Sequence, residues 1–234
     1  MRSLAEQSEQ DLGGRMSVLT RQRRDHVQLD LLLSELAATE VTYQDQVLQR
    51  IYRLVFPHAF AEEAVLWPVL RRVLPDGQEI TLQVECEHQE VNELVTTLES
   101  MPLHDPNRST NLSRLVAVLR EDVRDEEDVL LPRLQAAVSP ARLRQLGVAW
   151  EVVRRMSPTR AHPVVARRPP GNALAALPLS VIDRLRDRVD RVIHRKPDWG
   201  SPHLETASRV LTGLAHRVEE LPLLKRGEHP ATHR

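Results

Sequence analysis

The segment HAFAEEAVLWP at residues 58–68 is matched by DVRDEEDVLLP at residues 122–132. Both follow the pattern (H or D)xxxEExxxxP, and they begin 64 positions apart. The pairs Asp25-His26 and Glu87-His88 repeat in the same order, 62 positions apart. A duplicated motif arises by chance less often than a single one. The pattern therefore predicts two related helical hairpins, each with a histidine on its first helix and a paired motif on its second.

Apolar residues recur at three and four positions around these motifs, and this spacing predicts helices rather than strands. Two helical hairpins that pair through their apolar faces form a bundle. We predict an all-α fold, an up-down four-helix bundle with a C-terminal helical extension. The four predicted helices cover residues 15–38, 42–73, 78–101 and 109–137, and a shorter fifth helix covers residues 140–155.

The segment SPTRAHPVVARRPPG at residues 157–171 is rich in proline and arginine, a composition typical of an extended linker. We predict a flexible N-terminus at residues 1–14 and the bundle with its fifth helix at 15–155. A linker or strap follows at 156–178, and a helical extension with a frayed tail at 179–234. The arginines in and just before the strap are predicted to pack against the bundle, with contact to nucleic acid or to an acidic partner as the alternative. They are Arg154, Arg155, Arg160, Arg167 and Arg168.

The composition of the chain limits the classes of function that it can have. Apolar residues make up 41% of the chain and charged residues 28%, which is ordinary for a globular protein. No apolar run approaches the roughly 20 residues of a membrane span, and no signal peptide is recognisable. We therefore expect a cytoplasmic protein with no membrane partner.

The net charge of −1 argues against nucleic-acid binding as the main role. The single Cys86 can form neither an internal disulfide nor a thiolate site, so any metal needs nitrogen and oxygen ligands.

Histidines and carboxylates occupy the apolar faces of the predicted helices. Residues at i and i+4 lie on one helix face, so His58 with Glu62, and Asp122 with Glu126, can bind one ion. Leaving a buried charge without its partner costs about 3–5 kcal/mol, and bound cations would compensate the buried carboxylates. Imidazoles with carboxylates suit iron or manganese, and zinc also fits. The predicted metal ligands are His26, His58, Glu62, His88, Asp122 and Glu126.

These residues resemble the hemerythrin HHE cation-binding family over residues 15–137. The resemblance rests on His26, His58xxxGlu62, His88 and the xxxGlu126 half-motif. It implies a non-haem site with two iron ions, joined by an oxo or hydroxo bridge. It also implies that the matching histidines bind the irons and that Glu62 and Glu126 bridge them.

Two positions depart from the family pattern. Asp122 stands where the family has histidine, which adds negative charge, favours the ferric state and lowers the reduction potential. Aspartate in place of histidine would also be consistent with weak binding of the second metal ion. Asn92 stands where oxygen-carrying hemerythrins have a further histidine ligand, so more coordination positions on the metal would stay open. Glu63 and Glu127 are expected to face solvent or to contact the ligands, and His162 is predicted to be a surface group.

Three functions are compatible with this pattern. The first is a di-iron protein that binds or reacts with dioxygen, peroxide or nitric oxide, including action as an oxidoreductase on O2 or peroxide. The second is an iron or redox sensor whose C-terminal helices act on a protein partner. The third is an interaction bundle with a degenerate metal site. The residues alone do not separate a catalyst from a sensor.

Overall fold

The computed structural model describes residues 1–195 and 201–232. Residues 196–200 and 233–234 of the predicted C-terminal extension lie outside the described residues. The described part is helical and contains no strand, which confirms the all-α prediction. None of its helices has both the length and the apolar character that crossing a membrane requires. Its α-helices are α1 (Val18–Ala38), α2 (Gln44–Ala61), α3 (Trp67–Val73), α4 (Gly77–Ser100), α5 (Arg108–Asp125), α6 (Leu131–Ala137), α7 (Pro140–Met156), α8 (Gly171–Arg195) and α9 (Ser201–Glu219).

The second and fourth predicted helices each contain a π-helical turn. The turn Glu62–Leu66 joins α2 to α3, and the turn Glu126–Leu130 joins α5 to α6. Both begin at the first glutamate of the repeated motif and are followed by a proline in the first turn of the next helix. Proline cannot donate the backbone hydrogen bond that an α-helix needs there. A π turn widens the helix by one residue and is common at functional sites.

Two apolar cores are stacked along the bundle, with a polar layer between them. Leu19, Leu66 and Trp67 belong to the first core, and Leu29 and Leu119 belong to the second. On α1, the polar layer is occupied by His26, between Leu19 and Leu29 in sequence. The predicted site residues therefore lie where leucines on both sides keep water away.

The N-terminal segment and α7 complete the first core. Residues 1–14 were predicted to be flexible, but Leu4 and Leu12 are fully buried there together with Trp150 of α7. A Cβ atom on Gly147 would overlap the backbone carbonyl oxygen of Met16. Glycine at this position therefore lets α7 lie directly against the chain that leads into α1.

The C-terminal helices form a separate small core. α8 begins at Gly171, inside the predicted strap, and α8 and α9 pack around Leu179, Ala215 and Leu224. Two strap arginines are buried against the bundle, as predicted. Arg160 donates to Glu99 of α4, and Arg167 donates to Gln89 of the same helix.

The prediction that His162 lies on the surface is wrong. Its side chain is only 7% exposed, with Nε2 3.1 Å from Asp183 Oδ2 of α8 and Nδ1 3.1 Å from Glu219 Oε2 of α9. Its backbone N–H donates to Asn92 Oδ1 of α4 at 2.9 Å. Burial opposes protonation, but the two carboxylates raise the pKa of His162 to about 9. A charged His162 therefore ties both C-terminal helices to the bundle.

This arrangement predicts a pH-dependent docking of α8 and α9. The pKa of His162 is about 9 in the folded protein and ordinarily 6.5. Its contribution to stability is therefore complete below pH 6.5, while both carboxylates stay ionised, and is lost as the pH rises through 9. We expect a loss of up to about 3 kcal/mol over this range. Hydrogen exchange of α8 and α9, corrected for the intrinsic pH dependence of exchange, measures it.

The matched control for this prediction is His162→Gln, which keeps a polar side chain but cannot titrate. We expect the variant to be less protected at low pH and nearly independent of pH across the same range. An identical pH dependence in the variant and the natural chain would contradict the prediction.

Candidate metal centre

The structure brings all six predicted ligands together in the polar layer; we call these six residues the metal centre. Five of them are buried, and the side chain of Asp122 is 13% exposed. Their ligand atoms form two groups, and within each group the atoms lie within 4.8 Å of one another. The first group contains His26, His58, Glu62 and Glu126, and the second contains His88, Asp122 and Glu126.

Glu62 and Glu126 lie between the histidines of the two hairpins. Glu62 Oε1 is 3.0 Å from His58 Nε2, and its Oε2 is 3.7 Å from His88 Nε2. Glu126 Oε2 is 3.1 Å from His26 Nε2, although Glu126 and His26 come from different hairpins. Both glutamates begin a π turn. Each is therefore placed as a carboxylate that two neighbouring ions could share.

A carboxylate holds the outer nitrogen of each histidine. His26 Nδ1 lies 2.8 Å from Glu127 Oε1, and His88 Nδ1 lies 3.0 Å from Glu63 Oε1. The second glutamate of each motif thus contacts the histidine of the opposite hairpin, which was one of the two expected roles. His58 Nδ1 lies 3.4 Å from Asp25 Oδ2. Such contacts orient an imidazole and leave its Nε2 directed at a metal.

Asp25 was not predicted as part of the site. The signal was present in the sequence, because Asp25 and Glu87 each precede a site histidine in the repeated pair. Glu87 has no imidazole to contact, since Asp122 replaces the histidine that corresponds to His58. Glu87 Oε2 is buried without a hydrogen-bond partner. Burial and the charge of Asp122 raise the pKa of Glu87 to about 7.

The residues of the metal centre fit bound cations. Glu126 Oε1, Asp122 Oδ1 and both side-chain oxygens of Glu62 are buried without a hydrogen bond of good geometry, although His58 Nε2 lies 3.0 Å from Glu62 Oε1. A buried polar atom without a partner is costly. His26 Nε2 and His58 Nε2 also lie only 3.3 Å apart, directed at the same space. Cations held between nitrogen and carboxylate ligands would satisfy all of these atoms, and this ligand set suits iron, manganese or zinc.

Protons balance the charges of the centre when it holds no cation. Burial opposes protonation of His26, but Glu126 and Glu127 raise its pKa to about 9. The pKa of His58 is also raised, to about 10, because the effect of Glu62 and Asp25 is larger than the opposing effect of burial. Burial, Glu62 and Asp122 raise the pKa of Glu126 to about 8. Binding of metal at neutral pH must therefore displace protons from these groups.

Two spaces adjoin the metal centre. An inner cavity of about 20 Å³ is lined by His26, His58, Asp25 and Asp122 together with apolar side chains. An outer groove of about 660 Å³ between α1 and α5 reaches His26 from the surface. The two spaces share four lining residues, namely His26, Leu29, Leu119 and Val123. A cavity needs about 10–15 Å³ for one water molecule, so the inner cavity admits only very small ligands.

A helical bundle with a buried layer of histidines and carboxylates defines a metal-binding helical protein. The profile of the hemerythrin HHE cation binding domain matches residues 17–134, and the chain belongs to this family. The resemblance identified from the sequence is therefore confirmed.

Two relatives are similar to this chain. A hemerythrin-like protein of Schizosaccharomyces pombe is 27% identical over 154 residues, which cover 65% of this chain and 74% of that protein. A DNA nickase of Nostoc is 24% identical over 133 residues, which cover 56% of this chain and 37% of that protein. No solved structure matches the chain significantly.

Proposed function

We propose that this chain is a non-haem di-iron protein that binds or reacts with a small oxidant, namely dioxygen, peroxide or nitric oxide. One observation carries the proposal: two ligand groups share Glu126 and adjoin an inner cavity of about 20 Å³. A shared carboxylate favours two ions over one. The size of the cavity favours a ligand of two or three atoms.

The two groups would hold their ions unequally. The first group offers two imidazoles and two carboxylates, whereas the second offers one imidazole, Asp122 and the shared Glu126. Asn92 is engaged elsewhere, because its Nδ2 donates to the carbonyl of His88 and its Oδ1 accepts from His162. Fewer protein ligands leave more positions open for an exogenous ligand. Iron bound there would supply the electrons for reduction of an oxidant.

The remaining contacts support reaction at a protected site. Glu63, Glu127 and Asp25 hold the imidazoles in one orientation, which fixes the ligands before a metal arrives. Leu29 and Leu119, which line both the inner cavity and the groove, make the approach to the centre partly apolar.

Metal analysis combined with absorption spectroscopy tests the proposal. We expect the chain produced with iron to contain about two irons, since two ligand groups are present. Its near-ultraviolet absorption should change when dioxygen, peroxide or nitric oxide is added. A purified chain without iron, or an iron-loaded chain whose spectrum ignores all three, would overturn the proposal. Retention of zinc alone, with no response to oxidants, would show a metal site of another function.

A further inference from the structure

A second space at the surface, of about 430 Å³, is lined mainly by arginine, together with Pro57, Thr159 and Asp187. Helices from the bundle and from the C-terminal extension both contribute to it. Asp187 is the single acidic side chain among the described residues that line it. We call this cavity the arginine pocket; its arginines are Arg53 of α2, Arg154 and Arg155 of α7, and Arg184, Arg188 and Arg191 of α8.

Carboxylates of the protein neutralise only part of this charge. Arg53 lies 3.2 Å from Asp187, Arg154 lies 2.9 Å from Asp25, and Arg155 lies 2.7 Å from Glu151. Six guanidinium groups less these three carboxylates leave three positive charges.

The other three arginines of the pocket have no carboxylate partner among the described residues. Arg184 donates to the carbonyls of Arg155 and Ser157, and Arg191 donates to a backbone carbonyl. Within the described residues, Arg188 has no hydrogen bond or ion pair. In addition, Arg154 Nε is buried without a hydrogen-bond partner. The pocket therefore concentrates positive charge that no part of the described chain balances.

We propose that the arginine pocket binds a small polyanion carrying at least two phosphate groups, such as a nucleoside triphosphate or inorganic polyphosphate. Guanidinium groups match phosphate oxygens with paired hydrogen bonds. The excess of three charges matches a diphosphate or triphosphate better than a single phosphate. The volume lies in the range of about 300–1,000 Å³ that is usual for small-molecule sites.

Asp25 links Arg154 of the pocket to His58 of the metal centre. Asp25 Oδ2 lies 2.9 Å from Arg154 Nη2 and 3.4 Å from His58 Nδ1, so one oxygen serves both groups. A polyanion that engages Arg154 would leave this oxygen to His58 and strengthen its hold on the imidazole. Polyanion and metal would then bind cooperatively, each increasing the affinity of the other. This coupling rests on the proposed metal site, whereas the pocket itself does not.

Calorimetric titration of the full chain, as purified, with tripolyphosphate tests the pocket. We expect one tripolyphosphate per chain and at least about tenfold weaker binding of orthophosphate, because charge-assisted hydrogen bonds are lost. Arg188→Glu combined with Arg191→Glu should weaken binding of tripolyphosphate by at least about tenfold. Both side chains are exposed, so the fold should tolerate the change. Arg144→Glu, at an exposed position of α7 outside the pocket, should have no effect.

The outcomes distinguish a nucleotide from inorganic polyphosphate as the ligand of the pocket. Equal affinity for ATP and tripolyphosphate would assign recognition to the phosphates, and tighter binding of ATP would assign it to a nucleotide; both support the proposal. Binding that is absent, or equally strong in the doubly substituted chain, would overturn it. A single-stranded oligonucleotide that binds more tightly than tripolyphosphate, through the same arginines, would overturn it in favour of a nucleic-acid surface.

The coupling needs a separate measurement, because tripolyphosphate itself binds metals in solution. Metal affinity is therefore compared between the natural chain and the doubly substituted chain at the same tripolyphosphate concentration. We expect several-fold tighter metal binding in the natural chain. Equal affinities would refute the coupling and leave the pocket standing. A chain that holds no metal would refute the proposed function, while the titration would still decide the pocket.

Discussion

Replacing Glu62 with alanine is expected to remove most of the bound metal, lowering metal affinity by more than about a hundredfold. Glu62 is fully buried, and its two oxygens face His58 and His88, which belong to different ligand groups. If two ions are bound as proposed, loss of this carboxylate would therefore affect both at once. It also leaves the buried histidines without their partner, which destabilises the metal-free protein by up to about 3–5 kcal/mol.

Two variants separate loss of the ligand from loss of the fold. Glu62→Gln keeps the volume of the side chain but not its charge, so it should lose metal while remaining folded. Glu121→Ala removes an exposed carboxylate one residue before Asp122 and should keep its metal. Mass spectrometry of the metal content and circular dichroism of the same samples measure both properties. Wild-type metal content in Glu62→Ala would show that Glu62 is not a ligand.

The grouping of the six predicted residues was partly predictable from the sequence, because two pairs among them are set by local helix geometry. A separation of four residues puts His58 and Glu62 on one helix face whatever the rest of the chain does. The repeat then implies that the second hairpin places Asp122 and Glu126 in the same way. Membership of a common polar layer follows once the flanking leucines are assigned to the core.

The π turns could not be read from the apolar periodicity. A π turn changes the backbone hydrogen bonds by one residue over a few positions, which is less than a pattern of threes and fours resolves. The repeated proline after each EExxxx segment was the available signal. Its meaning became clear only when Glu62 and Glu126 were both found at the start of such a turn.

Contacts between distant segments were not predictable either. His162 gains its partners from α8 and α9, and no spacing rule connects it with Asp183 or Glu219. The arginine pocket likewise combines residues from α2, α7 and α8. In the sequence these arginines resemble ordinary charges on helix surfaces. Only tertiary packing shows that they share one cavity.

Asp122→His is expected to strengthen metal binding by the second ligand group by roughly tenfold or more. Asp122 takes the position of His58 in the repeat, and Glu87 takes the position of Asp25. The present pairing sets two carboxyl groups side by side, which is why the pKa of Glu87 is raised to about 7 by burial and by Asp122. An imidazole at residue 122 would be oriented by the carboxylate of Glu87, as His58 is oriented by that of Asp25.

Titration with limiting metal measures the gain in affinity, and Asp128→His provides a control at an exposed position of the π turn that follows α5. If Glu87 supports the new imidazole, adding Glu87→Gln should remove a large part of the gain, which a double-mutant cycle quantifies. A gain that survives Glu87→Gln would mean that the imidazole binds metal without this support. If Asp122→His instead weakens metal binding, the aspartate is a ligand in its own right. The difference in ligands between the two groups would then be a feature of the functional site and not a sign of a degenerate one.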